Sequence, residues 1–223
     1  AAANPDDASF LQHFFKTGPG EYGAGDRFLG IRVPVLRRIA RAHTGVPLRV
    51  MLQLLRSPYH EARLTALLLL VRAYQRADAR EREIIFQAYL RNTRYVNNWD
   101  LVDLSAADLV GRHCLHGDRS TLRRLAASES LWERRIAVIA TFHFIKHDDF
   151  GETLRIARIL LRDPHDLIHK AAGWMLREVG KRDRAIEEAF LKRYYSRMPR
   201  TMLRYAIERL PEPRRQQYLR GEV

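Results

Sequence analysis

One carboxylate, Asp103, stands in a row of cations. The phrases Arg63-Leu64-Thr65, Arg135-Ile136-Ala137, Lys170-Ala171-Ala172 and Arg204-Tyr205-Ala206 recur along the chain, and Asp103-Leu104-Ser105 falls between the first two. From residue 63 the steps are 40, 32, 35 and 34 residues, the spacing of a helical-repeat array. If each repeat offers this position to one surface, the cations form the row that a phosphate backbone needs. An acid in that row is repelled by the same backbone, and catalysis is the leading reason for it to be there. Trp99 lies four residues before Asp103, and Trp174 lies four after Lys170. On helices both spacings put the partners on one face. Aromatic faces attract cations and electron-poor sugars. A carboxylate stabilises an oxocarbenium ion, as at glycosidase sites. Arg135 could hold a phosphate or fix the carboxylate through a bidentate contact. The plain alternative makes Trp99 a core aromatic and Asp103 an arginine partner; the repeat register favours the surface.

Helices must position this set. Leu122, Leu125 and Ala126 share a face, as do Ile136, Ile139 and Ala140, and Leu154, Ala157 and Leu161. No run alternates like a strand between hairpin turns. Breaks are expected at Thr44-Gly45, Ser57-Pro58, Gly117-Asp118, Asp163-Pro164, Gly180 and Met198-Pro199. Pro58, Pro164 and Pro199 suit first helical turns. Asn97 or Asn98 can cap a helix that begins at Trp99. The expected fold is all-α, about a dozen helices paired antiparallel with short connectors, in one domain over residues 1–223. Ala1–Ala3 reads as a cloning remnant and residues 1–5 as unstructured. The glycine-rich stretch Gly18–Gly25 formally matches G-x-G-x-x-G, but no strand precedes it and no βαβ unit follows. A packing loop, or one touching DNA backbone, fits better.

Composition narrows the partners. There are 39 Lys+Arg against 26 Asp+Glu, a formal charge of +13. Such an excess favours polyanions, nucleic acid first. Cys114 is the single cysteine, which excludes an intrachain disulfide or a thiolate zinc site and fits a reducing cytosol. Beside His113 and His116 it reads as a small buried hydrophobe rather than a nucleophile. His143/His147 and His165/His169 have i, i+4 spacing that zinc can use, but neither encloses the Glu of the metalloprotease pattern. No metal and no cofactor are expected. Lys146 and Lys170 could form Schiff bases; phosphate contacts are the expected role. The longest apolar run, Leu64 to Val71, contains Thr65 and is too short to span a bilayer.

The segments Asn97 to Asp103 (NNWDLVD), Leu131-Trp132-Glu133-Arg134-Arg135 and Lys170 to Glu178 (KAAGWMLRE) resemble the signature segments of the AlkD-like DNA alkylation-repair glycosylases. Phe28 to Pro34 (FLGIRVP) resembles that family's N-terminal motif. The likeness runs from about Phe10 to Leu210. It implies a HEAT-like solenoid with a concave cationic groove. It also implies excision of N3- and N7-alkylated purines from double-stranded DNA. On the resemblance Asp103 matches the catalytic Asp, Trp99 and Trp174 the aromatic pair beside the lesion, and Arg135 the active-site Arg. Arg32, Arg38, Arg63, Lys146, Lys170, Arg177 and Arg204 are the candidate DNA contacts. Asn98 stands where some relatives carry an aromatic, and Arg32-Val33 departs from a polar pair; both touch fine DNA contacts rather than the reaction. The expectation is a monofunctional glycosylase acting as a monomer in the cytoplasm, at the nucleoid. The runner-up is a non-enzymatic nucleic-acid-binding repeat protein, and a protein-binding scaffold is disfavoured by the cationic row. Whether the base is flipped into a pocket stays open.

Overall fold

A computed structural model of the chain describes residues 3–223. The fold is all-α, a helical repeat, and among the described residues no strand forms beyond an isolated bridge between Arg27 and Tyr59. None of the described helices is long and apolar enough to cross a membrane. By its internal contacts the chain divides into two compact units, residues 1–105 and 106–223.

The first unit contains α1 (Pro5–Phe14), α2 (Val33–Ala42), α3 (Leu48–Leu55), α4 (His60–Arg76), α5 (Ala79–Leu90) and α6 (Trp99–Asp103). Its centre is α4. Leu64, Ala66, Leu67 and Leu70 leave almost no surface exposed, and so apolar a middle stretch belongs inside. Accordingly α2, α3, α5 and α6 all pack on α4. The expected lack of structure over residues 1–5 is corrected at its end. Asn4 Oδ1 accepts the backbone N–H groups of Asp6 (3.0 Å) and Asp7 (3.3 Å), and Pro5 opens α1. Capping satisfies donors that the helix leaves open. Ala1 and Ala2 lie outside the described residues.

The second unit begins with a π-helical turn, Ala107–Gly111, that runs into α7 (Arg112–Leu115). Then follow α8 (Ser120–Ala126), α9 (Leu131–Ile145), α10 (Gly151–Ile159), α11 (Asp166–Arg182), α12 (Arg184–Tyr194), α13 (Arg200–Ala206) and α14 (Glu212–Arg220). From α8 to α13 the packing partners lie one or two places away in chain order, as stacked repeats require. Gly173 lets α11 and α13 approach closely, since a Cβ there would strike Met202 O and lie 2.6 Å from Tyr205 Cβ. Cys114 is buried, and burial pushes its thiol up to about 12, so it is a packing residue.

Most expected breaks fall between helices. Gly180 does not break α11, which continues to Arg182. One glycine costs a helix about 1 kcal/mol, less than the burial of Met175, Leu176 and Val179 returns. The stop comes at Asp183, whose side chain accepts Ile186 N–H and caps α12. Pro58 and Pro164 precede their helices by two residues and Pro199 is an N-cap; first-turn prolines are Pro5, Pro34 and Pro213.

Candidate active site

Helix α6 carries two of the residues singled out from the sequence. It spans the five residues Trp99 to Asp103, so both ends of the expected face-sharing pair lie on it. Asn98 caps it, accepting Trp99 N–H at 2.8 Å. Five residues form barely one turn, and so short a helix does not hold itself. Its position comes from its anchors. Trp99 is half-buried and stacks on Phe15, ring centres 5.0 Å apart at 27°, with the edge of Phe14 at 5.9 Å. Trp99 is therefore partly the core aromatic of the plain alternative and partly surface.

Beneath α6 lies a buried polar cluster. Asp26, delivered by the end of the glycine-rich loop, is 4% exposed. Its Oδ1 accepts from Arg63 Nη2 at 2.6 Å and its Oδ2 from Asn98 Nδ2 at 3.2 Å. His60, at the start of α4, places Nδ1 3.0 Å from Asp26 Oδ2 and Nε2 2.8 Å from Asp100 Oδ2. Desolvation raises the Asp26 carboxyl, but hydrogen bonding and the charges of His60 and Arg63 outweigh it and hold its pKa below the usual range. Glu61 is buried beside His60, and its carboxylate accepts the backbone N–H groups of Leu29, Gly30 and Ile31 at 2.9–3.2 Å. The Phe28–Pro34 segment thus wraps a carboxylate. Gly30 has φ +74°, and a Cβ there would strike Asn4 O, so glycine is what lets α1 seat on this loop.

Together these elements line a half-open cavity of about 580 Å³ within the first unit, walled among others by Phe10, Phe14, Phe28, Trp99, Asp103 and Leu104. Asp103 is half-buried. One wall is aromatic, and Phe10 and Phe14 stack on each other at 5.8 Å while remaining exposed. A carboxylate in apolar surroundings acts through a lower effective dielectric than in water.

The row of cations does not keep a common depth. Arg63 is 4% exposed and sits on Asp26, and Arg135 is 5% exposed with Nη1 donating to Leu167 O at 2.6 Å. Neither side chain is open to solvent as the expected row of phosphate contacts would have it. The repeat register sets which side of a helix a residue occupies, while the next helix decides how deep that side lies. Lys170 is half-buried with Nζ 2.7 Å from Asp166, and Arg204 is exposed. Arg177, expected as a DNA contact, lies between Glu208 and Glu178 with a largely enclosed side chain. Arg32 is exposed and pairs with Asp7 at 2.9 Å; Arg38 is exposed on α2; Lys146 is exposed with Nζ 4.5 Å from the Phe142 ring centre. Trp174 is half-buried, and its Nε1 donates to Glu178 Oε1 at 3.0 Å. Trp132, read as a packing tryptophan, is half-buried as well.

Residues 1–210 match the family model for DNA alkylation repair enzymes. The chain belongs to the DNA alkylation repair family. A solved structure described as a predicted DNA alkylation repair enzyme from Enterococcus faecalis superposes with a TM-score of 0.71 at 18% identity, covering 94% of this chain and 97% of that one. At that identity the likeness speaks for the fold. No curated protein matches the chain. Membership of the alkylation repair family gives the chain a role in repairing alkylated DNA. Within this member, Asp26, His60 and Asp100 are the residues that sequence reasoning missed. They lie 34 and 40 positions apart, no spacing rule links them, and the one local signal was His60-Glu61 at a helix start.

Proposed function

We propose that the protein is a DNA glycosylase that hydrolyses the N-glycosidic bond of N3- or N7-alkylated purines in duplex DNA and leaves an abasic site. The observation that carries this reading is the pairing of Asp103 with Trp99 on α6, both lining the aromatic cavity. An alkylated purine of this kind is cationic. When the C1′–N bond breaks, its electron pair returns to the base, which departs neutral and needs no strong acid. Positive charge moves to the sugar, where a carboxylate stabilises the oxocarbenium ion. Water then adds at C1′, and its proton passes to the carboxylate or to solvent. Trp99 offers a π face to the sugar cation. Arg135 and Trp174 remain candidate site residues on the resemblance alone. The net charge of +13 supplies attraction to duplex DNA.

The test is base release from methylated duplex DNA, identified by mass spectrometry. Asp103→Asn is expected to slow release by at least about 100-fold, because a lost charge contact to the transition state is worth several kcal/mol. Affinity for undamaged duplex should hold or rise. Full-rate release by Asp103→Asn refutes the assignment. Duplex binding by the wild type with no base release identifies a binding module instead.

A further inference from the structure

Arg63, Asp26, His60 and Asp100 form a chain of alternating charge inside the first unit. The links are 2.6 Å from Arg63 Nη2 to Asp26 Oδ1, 3.0 Å from Asp26 Oδ2 to His60 Nδ1, and 2.8 Å from His60 Nε2 to Asp100 Oδ2. His60 is 1% exposed. Each of its ring nitrogens faces a carboxylate oxygen, and an ionised carboxylate only accepts. Both contacts are hydrogen bonds only when both nitrogens carry protons. The ring is then an imidazolium, and two cations alternate with two anions. Such pairing is what permits buried charge.

Everything packed on the ring fits this state. Phe28 stacks on it at 4.6 Å and Phe15 lies at 5.1 Å. Arg63 reaches it only through Asp26, and Glu61 is turned to the backbone of residues 29–31. Asp103 and Asp100 line the same cavity as His60. Burial alone would lower the His60 pKa, but Asp100 and Asp26 outweigh it and raise it from 6.5 to about 9. The far end of the chain is the first turn of α6, where Asp100 Oδ1 also accepts Leu101 N–H at 2.8 Å.

We infer that His60 is a positioning residue for base excision: its doubly protonated ring ties α4 to Asp100 and so sets where α6 holds Trp99 and Asp103. The inference rests on the glycosylase reading above. Catalytic groups displaced by about 1 Å can lose about 100-fold in rate, and α6 is too short to hold its place unaided.

Three measurements test it. In the wild type, ¹⁵N NMR of labelled histidine should show one ring with both nitrogens protonated at pH 7.5, losing a proton near pH 9; this needs no variant. In His60→Gln, single-turnover excision should slow by about 10–100-fold while affinity for undamaged duplex holds. The alkaline fall of the wild-type rate near pH 9 should vanish in the variant. Amide hydrogen exchange in His60→Gln should quicken at residues 99–104 and stay slow in α2 and α3. A His60 ring with one proton at pH 7.5 overturns the proposal. So does an unchanged rate with unchanged exchange, or uniform loss of protection across the first unit, which marks a merely structural role. If the wild type releases no base, the glycosylase reading fails by itself, and the exchange at α6 still decides whether His60 anchors it.

Discussion

Arg63 separates two physical roles that the sequence could not distinguish, and Arg63→Ala measures which holds. In the structure Arg63 is 4% exposed, and its guanidinium donates to Asp26 at 2.6 Å and reaches Ser57 O at 3.2 Å. Removing one partner of a buried ion pair costs about 3–5 kcal/mol, mostly because the other charge is left inside. Asp26 keeps His60 and Asn98 as partners, which puts the expected loss at the low end, about 3 kcal/mol. Urea unfolding followed by circular dichroism reads this directly. Duplex affinity, measured by fluorescence anisotropy between 50 and 200 mM salt, reads the other role. A phosphate ligand contributes about 0.9 to the slope of log affinity on log salt. Arg63→Ala should leave that slope unchanged. Arg204→Ala, at an exposed position, should flatten it by about 0.9 while moving stability by at most about 0.5 kcal/mol. An Arg63→Ala protein of wild-type stability with a flattened slope would refute the burial argument.

Two further substitutions probe the second unit. Trp174→Ala should cost under about 2 kcal/mol, because the ring is half-buried and full core losses run to about 3–5 kcal/mol. Base release should slow, most for neutral bases that depend hardest on transition-state contacts. A variant that melts far earlier yet excises at full rate counts against Trp174 as a substrate contact. Glu187 is 3% exposed, and burial raises its pKa from 4.5 to about 8. A carboxyl whose folded pKa is raised adds no cost below about pH 4.5, then destabilises increasingly until the pH passes about 8. Glu187→Gln should therefore stabilise the protein by about 3 kcal/mol at pH 7 and by almost nothing at pH 4. An identical gain at both pH values in urea titrations shows that the carboxyl ionises freely in the fold.

Local features of this protein were legible because they arise within a turn or two of chain. The all-α class follows from apolar residues three and four apart. Asn98 as the cap of α6, and Trp99 with Asp103 on that helix, follow from residue type and a spacing of four. Family membership was legible too, since its signature segments are contiguous. Depth was not. Arg63 and Arg204 occupy equivalent places in the repeat, yet one is buried on Asp26 and the other is exposed. Helical phase says which side a residue faces, whereas the packing of other elements decides whether that side meets water or a counter-ion. The linkage of Asp26, His60 and Asp100 was equally hidden, because a loop and two helix starts distant in sequence must first meet. What residues 97–103 could attempt is written in their order. What holds them in place is decided by charges that only folding brings within 3 Å of one another.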